Sequence, residues 1–117
     1  MGRITTHVLD IAQGQPAAGV GVTLYRVGDD DLAVAASVFT NADGRTDEPL
    51  LEGDAFTPGS YELVFAIGDY YRSQGAMATG TPFLTEAVVR FTVTDAADDY
   101  HLPLLATPWS WTTYRGS

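Results

Sequence analysis

Val20-Gly21-Val22-Thr23-Leu24-Tyr25-Arg26-Val27 runs straight into Gly28-Asp29-Asp30-Asp31. Val20, Val22 and Leu24 alternate with Gly21, Thr23 and Tyr25, a periodicity that places the apolar set on one face of a half-buried strand. The Gly-Asp cluster then reads as a hairpin tip, with residues 34–40 as the returning strand. Asn41-Ala42-Asp43-Gly44 supplies the next turn.

The same texture extends in both directions. A run over 4–10 is followed by Gly14-Gln15-Pro16, and a strand over 61–67 puts Tyr61, Leu63, Phe65 and Ile67 on one face. Further strands are expected over 87–94, 101–105 and 110–115. One short helix fits residues 69–74, capped by Asp69 and ended at Gly75. Short β-rich runs separated by Gly, Pro, Asp and Asn clusters are the pattern of an all-β sandwich or barrel. No linker, repeat or low-complexity tract interrupts them, so residues 1–117 are expected to form a single domain. In the last strand Trp109, Trp111, Thr113 and Arg115 share one side, and two indoles on one face need cover. Either the sandwich core or another subunit could provide it.

Composition narrows the classes of function. The chain carries a formal charge of −9, with six arginines, no lysine and fifteen acidic residues. Binding nucleic acid needs clustered cations to displace counterions, and these arginines are scattered, so no nucleic-acid partner is expected. The acidity by itself implies nothing catalytic. Without cysteine there are no disulfides, thiolate-held metals or cysteine nucleophiles. No apolar run approaches the roughly 20 residues that span a membrane, and the first residues lead directly into strand-like sequence. The expectation is a cytoplasmic protein without a membrane partner.

The chemistry available is restricted. His7 and His101 are the two histidines, the side chains that titrate nearest neutrality, and both fall in expected strands. A lone strand histidine is usually structural; two beside Arg45 would be a different matter, and the sequence does not show whether they meet. No metal site is expected, because nothing has close ligand spacing. The Asn41–Gly44 turn faintly resembles a calcium loop, but Phe39 and Leu50 occupy its first and closing ligand positions. Asp29-Asp30-Asp31 and Asp98-Asp99 read as solvated turn charges. A G-x-S-x-G elbow and phosphate-binding glycine loops are both missing. What remains is hydrolysis by histidine and arginine acting on water, or a binding module without chemistry.

Four segments together resemble one family. They are Thr5-Thr6-His7-Val8-Leu9-Asp10 with Gly14, Pro16, Ala17 and Gly19; Thr40-Asn41-Ala42-Asp43-Gly44-Arg45 with Pro49-Leu50-Leu51; Gly59-Ser60-Tyr61-Glu62-Leu63 with Gly68-Asp69-Tyr70-Tyr71 and Pro82-Phe83-Leu84; and Tyr100-His101-Leu102-Pro103-Leu104-Leu105 with the closing Tyr114-Arg115-Gly116-Ser117. The set is similar to the transthyretin-like 5-hydroxyisourate hydrolases, with the last tetrapeptide its most specific element. Trp109, Trp111 and Thr81 depart from the usual pattern.

The resemblance implies a transthyretin-like (prealbumin-like) β-sandwich of two four-stranded sheets with one short helix, assembled as a homotetramer, a dimer of dimers. It implies a substrate, 5-hydroxyisourate, whose N1–C6 amide bond is hydrolysed on the route from urate to allantoin, and it implies no cofactor. Carried over by motif, His7, Arg45 and His101 are the expected catalytic residues, and Tyr114, Arg115, Gly116 and Ser117 the expected substrate-binding ones. In this reading the two histidines hold the attacking water, Arg45 faces the carbonyl, and the Ser117 hydroxyl and carboxylate accept protons from a substrate N–H or position a neighbouring group. Which histidine is the base stays open. The alternative is a non-catalytic small-molecule carrier like transthyretin; carriers of that kind lack both histidines, the arginine and the terminal tetrapeptide.

Overall fold

The computed structural model describes residues 2–75 and 80–117. Its elements are β1 (Arg3–Asp10), β2 (Gln15–Pro16), β3 (Gly21–Val27), β4 (Leu32–Phe39), β5 (Leu51–Glu52), β6 (Gly59–Phe65), α1 (Ile67–Ser73), β7 (Ala87–Val93), β8 (Tyr100–Ala106) and β9 (Trp111–Thr113). One sheet runs β2-β1-β8-β9, with the short β5 also pairing β1; the other runs β4-β3-β6-β7. The expected pair of four-stranded sheets is therefore present, with β5 added at the end of β1 where Arg3 faces Glu52.

Alternation fixes the packing. Val22 and Leu24 of β3, Tyr61, Leu63 and Phe65 of β6, Ile4 and Val8 of β1 and Leu104 of β8 all lose essentially all solvent contact between the sheets. Each such aliphatic or aromatic side chain contributes about 1.5–3 kcal/mol on leaving water, and sliding any strand by one residue would turn its set outward.

Several boundaries differ from the sequence reading. The helix begins two residues early, at Ile67, and Asp69 is no cap: the N-cap is Ala66, without a side-chain bond. Ile67 is drawn into the core directly from β6, and Gly68 lies so close to Leu84 and Thr85 that a Cβ there would sit 2.8 Å from the Leu84 carbonyl oxygen. Asp69 instead meets Arg72 at 3.3 Å on the surface. The tryptophans also part company. Trp111, opposite Ala106 in β9, packs against the core, whereas Trp109 precedes the strand and is 65% exposed, beside the Phe83 ring.

One buried polar node ties α1 to β1. Asp10 is completely buried, yet its carboxylate accepts from the Tyr70 hydroxyl at 2.8 Å, the Tyr71 hydroxyl at 2.9 Å, the Gln13 side chain at 2.7 Å and the backbone N–H groups of Ala12 and Gln13. Burial pushes its pKa up, but these bonds outweigh that and hold it below the ordinary carboxylate value. The carboxylate raises the pKa of both tyrosines in turn, after burial has done the larger part.

β1 and β8 pair in parallel, with Thr5 beside His101 and His7 beside Pro103. Ile4, Thr6 and Val8 point into the sandwich, so Thr5 and His7 must point out of it. The same parity in β8 turns Leu102 and Leu104 inward and His101 outward. Both histidines therefore stand on the outer face of the sheet, away from the core.

Candidate active site

On that outer face His7 Nδ1 lies 2.8 Å from His101 Nε2. The ring centroids are 4.9 Å apart and the planes differ by 25°. That separation is about the N···N distance plus two ring radii, so the imidazoles meet edge to edge through a hydrogen bond rather than face to face. His101 Nδ1 is engaged as well, 2.8 Å from Thr5 Oγ1. Among the described residues His7 Nε2 has no protein hydrogen bond, which makes it the ring nitrogen free to serve a reactant.

Arg45 is delivered by the turn after β4. Gly44 adopts φ +73°, and a Cβ there would fall 2.5 Å from the Val8 carbonyl oxygen; only glycine lets the turn press this closely on β1. The Val8 N–H donates to the Gly44 carbonyl at 2.8 Å, and His7 and Arg45 form an antiparallel bridge. Asn41 holds the turn in shape: its Oδ1 accepts from the N–H groups of Asp43 and Arg45, and its Nδ2 donates to Asp47. This is local side-chain chemistry that asparagine supplies readily.

The terminal residues close the third side. Gly116 bridges to His101, its N–H donating to the His101 carbonyl at 2.7 Å. A cleft of about 430 Å³ results, lined by Thr5, His7, Arg45, His101, Gly116 and Ser117, with Arg3, Asp99, Pro103 and Tyr114 at its margins. Of the residues expected at the site, His7, Arg45, His101, Tyr114, Gly116 and Ser117 are brought together. Arg115 is turned away: its guanidinium lies 4.1 Å over the Tyr100 ring and donates to the Asp99 carbonyl. There it borders a separate, more apolar groove of about 300 Å³ between β7 and β9, which contains neither histidine nor carboxylate.

The electrostatics suit proton transfer. Burial, then the charge of Arg45, then His101 hold the pKa of His7 below 6.5. Burial and Arg45 do the same for His101. At neutral pH both rings are uncharged, so the pair can share a proton but strongly resists taking two, and it titrates as a coupled unit. A neutral imidazole with a free nitrogen, beside a fixed cation, can take a proton from water while the cation steadies a developing oxyanion.

Thr5 is the contact that residue type alone does not flag; its signal is positional, two residues before His7 on the outward side of β1.

Fold and cleft together define a transthyretin-like β-sandwich with two hydrogen-bonded imidazoles and an arginine gathered in a cleft on the outer face of one sheet. The chain belongs to the HIUase/Transthyretin family, whose model matches residues 4–116. The 5-hydroxyisourate hydrolase of Pseudomonas aeruginosa is 51% identical over 117 residues, covering 100% of this chain and 93% of that protein. The structure of Klebsiella pneumoniae 5-hydroxyisourate hydrolase superposes with a TM-score of 0.83 at 34% identity, over the full length of both chains. That of an (S)-allantoin synthase superposes with a TM-score of 0.91 at 41% identity, covering 99% of this chain, which spans 44% of that larger protein.

Proposed function

We infer that this chain hydrolyses 5-hydroxyisourate in the degradation of urate to allantoin, with His7 as general base. The observation that carries the reading is the His7–His101 hydrogen bond at 2.8 Å in a cleft shared with Arg45, combined with membership of a family whose relatives carry that name.

In the proposed reaction, His7 Nε2 takes a proton from water as the water oxygen attacks C6 of the ring. Arg45 binds the oxyanion formed on the carbonyl oxygen. The tetrahedral intermediate then collapses, the C6–N1 bond breaks, and the imidazolium returns its proton to N1. The products of that step are a carboxylic acid at C6, which releases its proton to solvent and leaves as the carboxylate, and a free ureido group. His101, with both nitrogens already engaged, supports His7 rather than holding the water itself. Gly116 and Ser117 wall the cleft, and the Ser117 hydroxyl accepts from a substrate N–H.

The assembly proposed is a homotetramer. β7 and β9 leave open edges on one side of the two sheets, and unpaired edges favour pairing with a second chain. The carrier alternative is disfavoured by a cleft whose walls are imidazole and guanidinium. We place this activity in the cytoplasm; among the described residues no helix is long and apolar enough to cross a membrane.

The test is ultraviolet decay of 5-hydroxyisourate generated in situ by urate oxidase, with and without the protein. Acceleration is expected, falling about 10²-fold or more in His7→Ala and Arg45→Ala variants that keep the wild-type fold. Decay at the spontaneous rate with folded wild-type protein, or wild-type turnover in both variants, refutes the assignment.

A further inference from the structure

We propose that Thr5 is a positioning residue that sets the tautomers of His101 and His7 and so keeps the cleft-facing Nε2 of His7 free of a proton. The inference rests on the reading of His7 as base. Thr5 and Thr6 are adjacent but do different things. Thr6 faces inward and its hydroxyl donates to the Leu102 carbonyl at 2.5 Å, while Thr5 faces outward and, among the described residues, its hydroxyl has His101 Nδ1, at 2.8 Å, as its one hydrogen-bond partner.

Three groups in a row leave two arrangements for two neutral rings with one N–H each. In the first, His101 donates from Nδ1 to Thr5 Oγ1, His7 donates from Nδ1 to His101 Nε2, and the lone pair of His7 Nε2 faces the cleft. In the second, Thr5 donates to His101 Nδ1, His101 donates from Nε2 to His7 Nδ1, and His7 presents an N–H to the cleft. Only the first makes His7 a base. Arg45 lines the same cleft, and a cation favours a lone pair over an N–H pointing into its field.

The threonine oxygen is what makes the first arrangement affordable at its other end. Without it His101 Nδ1–H is a half-buried donor with no acceptor, a costlier defect than an unbonded lone pair. A Thr5→Val variant, which keeps the β-branched shape suited to a strand and removes the oxygen, is therefore driven toward the second arrangement. Thr5→Ser restores the oxygen.

The experiment pairs kinetics with ¹⁵N NMR of the imidazole nitrogens in wild type, Thr5→Val and Thr5→Ser. Expected are an unprotonated His7 Nε2 in wild type and Thr5→Ser, a protonated one in much of the Thr5→Val population, and a kcat about tenfold lower in Thr5→Val with KM little changed. Wild-type nitrogen assignments and kcat in Thr5→Val, or a protonated His7 Nε2 in wild type, overturn the proposal. The spectra need no turnover. A wild-type protein inactive on 5-hydroxyisourate refutes the functional reading, and the nitrogen assignments still decide the role of Thr5.

Discussion

A single methyl group added at Gly116 tests whether the chain terminus is part of the catalytic geometry. A Cβ at this position would lie 3.1 Å from His101 Cδ2, 3.2 Å from Pro103 Cγ and 3.3 Å from Pro103 Cδ. Relaxed carbon contacts are about 3.5–4.0 Å, so in Gly116→Ala the tail must lift by roughly half an ångström or push the His101 ring aside. The Gly116 N–H···O bond to His101 starts at 2.7 Å and survives such a shift near the normal length of ~3 Å. Gly116 is not among the positive-φ glycines, so alanine adds no backbone strain and restricts the unfolded chain, worth about 0.4–1 kcal/mol in its favour. Stability should hence change by less than about 1 kcal/mol. Catalysis should not be spared, because misplacing a catalytic group by about 1 Å can cost ~10²-fold, and half that displacement points to about tenfold. The expected result is a kcat on 5-hydroxyisourate reduced about tenfold, with Tm within a few degrees of wild type. Unchanged kcat at unchanged Tm would mean that neither the tail nor the exact placement of the His101 ring matters to the reaction.

Arg45→Met should move the acid limb of the kcat/KM profile to higher pH, since removing the cation eases protonation of both rings, and a pH–rate series on the residual activity checks this. The same depressed pKa values contribute to folding: the unfolded chain takes up protons first, so the stability the two histidines contribute is fully present above about pH 6.5 and declines as pH falls from there through the folded-state values. Part of that decline should disappear from the Tm–pH curve in His101→Gln. Asp10→Ala leaves the Tyr70 hydroxyl, the Gln13 amide and two backbone N–H groups without their acceptor, and denaturant titration should show a loss of about 3 kcal/mol or more.

Alternation made much of the fold legible. The Val20, Val22, Leu24 and Tyr61, Leu63, Phe65 series predicts inward faces, and each of those side chains is fully buried. Elements set by tertiary contact were less so. The start of α1 depends on Ile67 entering the core and on the fit of Gly68 beneath Leu84, neither of which a capping rule can see. Trp109 and Trp111 obey strand parity only where a strand exists, and β9 begins at Trp111. At the site, motif resemblance points to His7, Arg45 and His101, whereas the meeting of the two histidines depends on a parallel pairing that no local pattern encodes. The direction of Arg115 was equally invisible, because its partner Tyr100 lies on a neighbouring strand.

The parallel pairing of β1 with β8 carries a consequence for biosynthesis. His7 and His101 are separated by 94 positions in the chain, so a nascent polypeptide emerging from the ribosome holds half of the dyad long before the other half is translated. Bringing together such distant segments is entropically slow. Until β8 inserts, β1 has an unpaired edge, and premature termination anywhere before His101 yields a product with no working dyad. Catalytic competence therefore reports that β1 and β8 have both been translated and have paired.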